Sequence, residues 1–186
     1  LPIYDGNTAL IHAEFYHKIE IIELLLNAGS DPNKKNNNSF TPLMFAISSN
    51  KIEIVKLLLN AGADIDKQTR DGDTALIKAA FYNRVEIVKL LLNAGVDIDK
   101  QTNEGYTALI VAAKYNKREI IELLLDYGAD EFILDNNNKS FYDYLNIENK
   151  QYFLHKYPTN AYNAISHNYK KSFTEFVKDY NIKIKK

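Results

Sequence analysis

Apolar positions along this chain fall into two kinds of cluster that alternate. One is short and rich in small residues, as in Ala75-Leu76-Ile77 followed by Ala79-Ala80. The other is longer and bulkier: Val85, Ile87-Val88 and Leu90-Leu91-Leu92, with Glu86, Lys89 and Asn93 as the polar interruptions. Polar residues spaced by three and four predict a helix with one wet face, buried over most of its circumference. The small-residue cluster predicts a shorter helix. Thr74 precedes it as an N-cap, and Thr41-Pro42 plays the same part elsewhere, with proline at the first helical position where no N–H is needed. Asn83 tolerates the left-handed conformation that stops a helix, and Gly95 ends the second helix in the same way. Asp71-Gly72 is a turn signal, because glycine accepts positive φ without penalty.

The paired clusters recur at a fixed step. Glycine stands at 29, 62, 95 and 128, each 33 residues after the last, and Thr8, Thr41, Thr74, Thr107 and Ser140 keep the same interval. The helix-stopping place holds His17, Asn50, Asn83 and Asn116. A constant period of this size predicts a stack of one supersecondary unit, here helix, helix and hairpin-like turn. No single unit can bury its apolar faces alone. A fifth copy starts on schedule at Asp135, then degrades. Tyr142, Leu145 and Asn146 replace the small and apolar signature, and a second helix is expected over 151–157, cut short by Pro158.

The words Asp71-Gly72-x-Thr74-Ala75-Leu76, Ala79-Ala80 and Ile87-Val88-x-Leu90-Leu91-Leu92-x-x-Gly95-x-Asp97 resemble the ankyrin repeat. The resemblance covers residues 5 to about 145. It implies an all-α ankyrin-repeat solenoid over residues 1–157, in four full copies and a degenerate fifth. Two departures stand out. The family usually has histidine in the fourth place of its Thr-Pro-Leu-His word, where this chain has Ile11, Met44, Ile77 and Ile110. Apolar packing is expected to replace that histidine's hydrogen bonds. Arg118 stands where Ile19, Ile52 and Val85 stand in the other copies. Either its stem lies on apolar surface with the guanidinium in water, or it has a charge partner.

Both ends of a stack must tolerate water. Glu14 occupies the place of Ile47, Ala80 and Ala113, so it is expected to be solvent-accessible and to mark the N-terminal end. Residues 158–186 leave the period. They read as a helical capping segment with a frayed basic tail, its aromatic stripe (Phe173, Phe176, Tyr180) sealing the fifth repeat.

Composition narrows the chemistry. Lys plus Arg is 23 against Asp plus Glu at 24, a balance that argues against a polyanion-binding surface over the whole chain. The lysines near the C-terminus are diluted by Glu175 and Asp179 and read as a solvated face. With no cysteine there is neither disulfide nor thiolate metal site. His12, His17, His155 and His167 fall in no metal-ligand pattern, and no phosphate-binding glycine loop is present. No cofactor, metal or catalytic residue is expected, nor a membrane span, since the apolar runs are too short. The expectation is a monomeric cytoplasmic protein. The start at Leu1 leaves open a removed leader and delivery to a host cell.

In ankyrin proteins partners usually dock on the concave side, on turn tips and the exposed face of the first helices. Carried over by position, the resemblance implies a partner-binding set of Phe15, Tyr16, Phe40, Lys78, Phe81, Tyr82, Tyr106, Lys114 and Tyr115. Large rings there are not needed for the repeat's own packing and are typical binding anchors. The leading reading is a non-enzymatic scaffold for another protein. Two others stand beside it: a regulatory or targeting segment of a larger enzyme or effector, and a structural role through self-association.

Overall fold

The structure, a computed structural model, describes residues 6–156 apart from His17. Among these residues there are ten helices and no strand. The first helices of the repeats are α1 (Ala9–Phe15), α3 (Pro42–Ser48), α5 (Ala75–Phe81), α7 (Ala108–Lys114) and the short α9 (Phe141–Tyr144). The second helices are α2 (Ile19–Asn27), α4 (Ile52–Asn60), α6 (Val85–Asn93), α8 (Arg118–Asp126) and α10 (Ile147–Lys156).

Each repeat is bounded as its sequence dictates. The hydroxyls of Thr8, Thr41, Thr74 and Thr107 accept from the N–H three residues on, at 3.2–3.4 Å. Those third residues, Ile11, Met44, Ile77 and Ile110, are buried, so apolar packing does fill the place where the family carries histidine. Asn50, Asn83 and Asn116 stop the first helices with φ of 57°, 58° and 54°. The residue after each donates back into the helix, as Arg84 N–H does to Ala79 O at 2.9 Å. Gly29, Gly62, Gly95 and Gly128 all have positive φ and end the second helices by the same reversal.

The helices form two rows. Along one row α1, α3, α5, α7 and α9 pack in succession, and along the other α2, α4, α6 and α8 do so. The first row is tighter, because fully buried alanines (Ala46, Ala79, Ala80, Ala112, Ala113) let its backbones approach, while leucine and isoleucine space the second. Side chains also stitch the turns together. Asp64, Asp97 and Asp130 donate their N–H groups to Asn33, Asp66 and Asp99 of the preceding repeat at 2.7–3.1 Å. At the tips, Asn103 N–H reaches Asp71 O at 3.0 Å and Asn136 N–H reaches Glu104 O at 3.1 Å.

Three expectations need correction or resolution. Glu14 is buried, at 2% exposure, and not solvent-accessible. Its place faces the junction with the second repeat, where Lys51 donates to both its carbonyl and its carboxylate, so a partner from the next repeat makes burial tolerable. The second helix of the fifth copy starts at Ile147, ahead of the expected 151. Arg118 has a charge partner: its guanidinium meets Glu148 Oε1 and Asn149 Oδ1, each at 2.7 Å, and lies 4.7 Å from the centre of the Tyr152 ring. The proposed capping segment 158–186 lies outside the described residues.

Candidate partner-binding groove

The first helices are only seven residues long, so their last residue and C-cap fall beyond the buried alanines. In the third repeat these places hold Phe81 and Tyr82, in the fourth Lys114 and Tyr115. Phe81, Tyr82 and Tyr115 are all exposed. Phe81 sits edge-to-face with Tyr82 at 5.0 Å and with Tyr115 at 4.8 Å, an arrangement that favours aromatic rings beyond their shared area. Between α5 and α7 and the turns that precede them runs a groove of 430 Å³. Its walls carry Phe81, Tyr82, Tyr106, Lys114 and Tyr115, with Asp71, Asp73 and Glu104 toward the turn tips.

Tyr106 is half-buried just before the cap Thr107. Lys114 donates to its hydroxyl at 3.1 Å and lies 4.4 Å from its ring centre. That hydrogen bond, against the opposing effect of burial, raises the pKa of Lys114 above the ordinary lysine value. Lys78 also lines the groove, but it is no free contact residue. It is buried, its amine bonds Asp73 at 2.9 Å and lies 4.5 Å from the Phe40 ring centre. A lysine stem on the packed face of α5 is covered by its neighbours, and its charge is spent within the repeat.

The other candidates lie elsewhere. Phe15 and Tyr16 are exposed and edge-to-face at 5.5 Å in the first repeat, outside the groove lining. Phe40 is half-buried against Phe45 at 5.4 Å. The second repeat interrupts the aromatic series with Ser48 and Ser49, and Ser48 turns its hydroxyl back to Met44 O at 2.9 Å. Of the expected rings, Phe81, Tyr82, Tyr106 and Tyr115 meet at the groove, whereas Phe15, Tyr16 and Phe40 do not, and the acidic tips and Arg84 were not among the expected residues. The Arg84 guanidinium lies 5.9 Å from the Tyr82 ring centre and bonds Ser48 O at 2.9 Å. The signal for the tips was present: Asp71 and Glu104 hold the same place in successive turns.

Beyond the groove, Tyr144 donates its hydroxyl to Asp135. Burial and that bond push the tyrosine up. Burial alone would raise Asp135, but its bonds from Tyr144 and nearby backbone N–H groups hold it below the usual carboxylate value. Among the described residues no cluster of histidine and carboxylate groups is arranged to hold a metal ion. No described helix is long and apolar enough to cross a membrane. A family model described as ankyrin repeats, in three copies, matches residues 2–69 and again 61–135. A search of curated proteins found no match.

Proposed function

Since this chain belongs to the ankyrin repeat family, whose repeats are generally protein–protein interaction modules and typically non-catalytic, we propose that it is a binding module that receives a partner protein on its concave face. The contact is centred on the groove between the third and fourth repeats. One observation carries this reading. Phe81, Tyr82 and Tyr115 form a rigid, exposed aromatic corner beside a groove that the repeat's own packing leaves open. Each ring offers large contact area with few rotatable bonds, so ordering it on binding costs little. The corner sits near the middle of the described stack, where neighbouring contacts best exclude water.

The test compares the intact chain with Phe81→Ala/Tyr82→Ala against a partner recovered by the intact chain. Loss of binding, with an unchanged circular dichroism spectrum, is the expected result. Full binding by the folded double variant would move the docking surface elsewhere.

A further inference from the structure

The groove treats its own charges unequally. Its two lysines are engaged, Lys78 by Asp73 and Phe40 and Lys114 by Tyr106. Arg70, beside the tip, turns away and donates to Asn37 O at 3.1 Å. Among the described residues the carboxylates of Asp71 and Glu104 make no ion pair and no side-chain hydrogen bond, and Glu104 is linked to Lys114 only by attraction through space. They stand exposed at adjacent turn tips, which Asn103 joins by donating its N–H to Asp71 O. The rings show the complementary pattern. Phe40, Tyr82, Tyr106 and Tyr144 each already have a lysine or arginine against the ring, whereas among the described residues no cation lies over the Phe81 or Tyr115 ring, and Lys114 reaches Tyr115 only through space. What the groove leaves without a direct cationic contact is two carboxylates at one end and the Phe81 and Tyr115 rings at the other.

We propose that the occupant of this groove is an extended, basic segment of the partner protein, with arginine or lysine side chains set on the Phe81–Tyr115 corner and against Asp71 and Glu104. Cations over aromatic faces and beside unpaired carboxylates are favoured by the same electrostatics that places this chain's own cations on its rings. The two ends are separate places in the groove lining, so the segment must present more than one cationic position. The inference rests on the binding reading above and names the chemistry that the same groove selects.

A displayed library of random twelve-residue peptides, selected on the intact protein, tests it. The expected binders carry at least two Arg or Lys positions. Their affinity, read by fluorescence polarisation of the synthetic peptides, falls at least tenfold in Asp71→Asn/Glu104→Gln and weakens with added salt. Both carboxylates are exposed, so the variant is expected to melt like the parent. Binders lost in Phe81→Ala/Tyr82→Ala, yet without cationic positions and indifferent to the carboxylate change, would overturn the basic-segment inference and leave the groove reading standing. Binders untouched by both double variants, or no groove-dependent binder at all, would overturn the two together. Sedimentation showing self-association that the same substitutions abolish would assign the groove to a second copy of this chain and overturn the inference as well.

Discussion

Lys51 Nζ lies 3.4 Å from Glu14 Oε1, and both side chains are almost completely buried where the first and second repeats meet. The second oxygen, Glu14 Oε2, is buried with no hydrogen-bond partner among the described residues. Burial therefore dominates over the attraction of Lys51 and pushes the Glu14 pKa from 4.5 to about 7.

A pH dependence follows from that shift. Between 4.5 and about 7 the folded chain binds a proton at Glu14 that the unfolded chain has released. Folding stability from this group therefore falls as pH rises through that window and stays lower above it. Full development of the shift amounts to about 3 kcal/mol. Glu14→Gln is expected to remove this component and to be more stable than the parent at pH 8. Urea melts of both proteins at pH 5 and pH 8 check it, and the difference between the two isolates Glu14 from the other carboxylates. Parallel profiles for the two proteins would mean that the carboxylate is hydrated after all.

Two glycines with the same backbone conformation are expected to respond differently to alanine. Gly95 has φ of 79°, and an added Cβ would meet nothing within 4 Å. Gly95→Ala therefore carries only the left-handed penalty, about 1 kcal/mol. Gly72 has φ of 86°, but its Cβ would lie 2.6 Å from the backbone N of Asn103 and 2.9 Å from Thr102 Cα. Backbone cannot swing aside as a side-chain tip can, so Gly72→Ala should cost more, at least about 2 kcal/mol. Denaturant midpoints of the two variants give the comparison, and equal losses would show that the turn tips move freely.

Arg118 ties the last described helix to the stack. It spans α8 and α10 through Asn149, Glu148 and the Tyr152 ring. Glu148 is largely exposed, so its ion pair is screened and worth little. Asn149 is buried, at 3% exposure, and would lose a charged donor. Arg118→Ala is expected to cost about 1–2 kcal/mol, and Glu148→Gln less than about 0.5 kcal/mol. Hydrogen exchange should speed up in residues 147–156 of Arg118→Ala before the central repeats respond.

The repeat architecture was legible because each boundary is local. A threonine hydroxyl three residues from its N–H, or a glycine in the left-handed region, leaves its mark in the sequence whatever packs around it. The aromatic candidates followed from the same register, since the period alone places Phe81, Tyr82 and Tyr115 just past the buried alanines. What escaped were contacts between repeats that break the period. Lys51 has Arg84 and Lys117 as its equivalents, but only in the first junction does a lysine there face a glutamate, so Glu14 read as an exposed end. Lys78 stands in the partner-binding set that the sequence suggests, yet it is buried. Its burial depends on Phe40, 38 positions earlier, which belongs to the preceding turn. Ser140 was recognised as an anchor, but its bonds to Asp143 Oδ2 at 2.8 and 3.0 Å needed the structure.

The aromatic corner offers the sharpest separation of binding from folding. Phe81 and Tyr82 keep 43% and 40% of their surface exposed, so truncation forfeits mainly their ring–ring contacts and the Arg84 neighbour of Tyr82. Each contact of that kind is worth about 0.5–1.5 kcal/mol. Leu91, by contrast, is fully buried in the core that α6 contributes. Leu91→Ala is expected to cost about 2–5 kcal/mol by loss of buried area and creation of a cavity. For a partner seated in the groove the order reverses. Phe81→Ala and Tyr82→Ala should each weaken binding by about 2 kcal/mol, as for a hot-spot ring, and Leu91→Ala should leave the affinity of the folded fraction unchanged. Titration calorimetry paired with denaturant melts of the same three variants reads both axes. A ring variant that loses stability as Leu91→Ala does would reclassify the corner as core, and one that loses neither stability nor affinity would remove it from the docking surface.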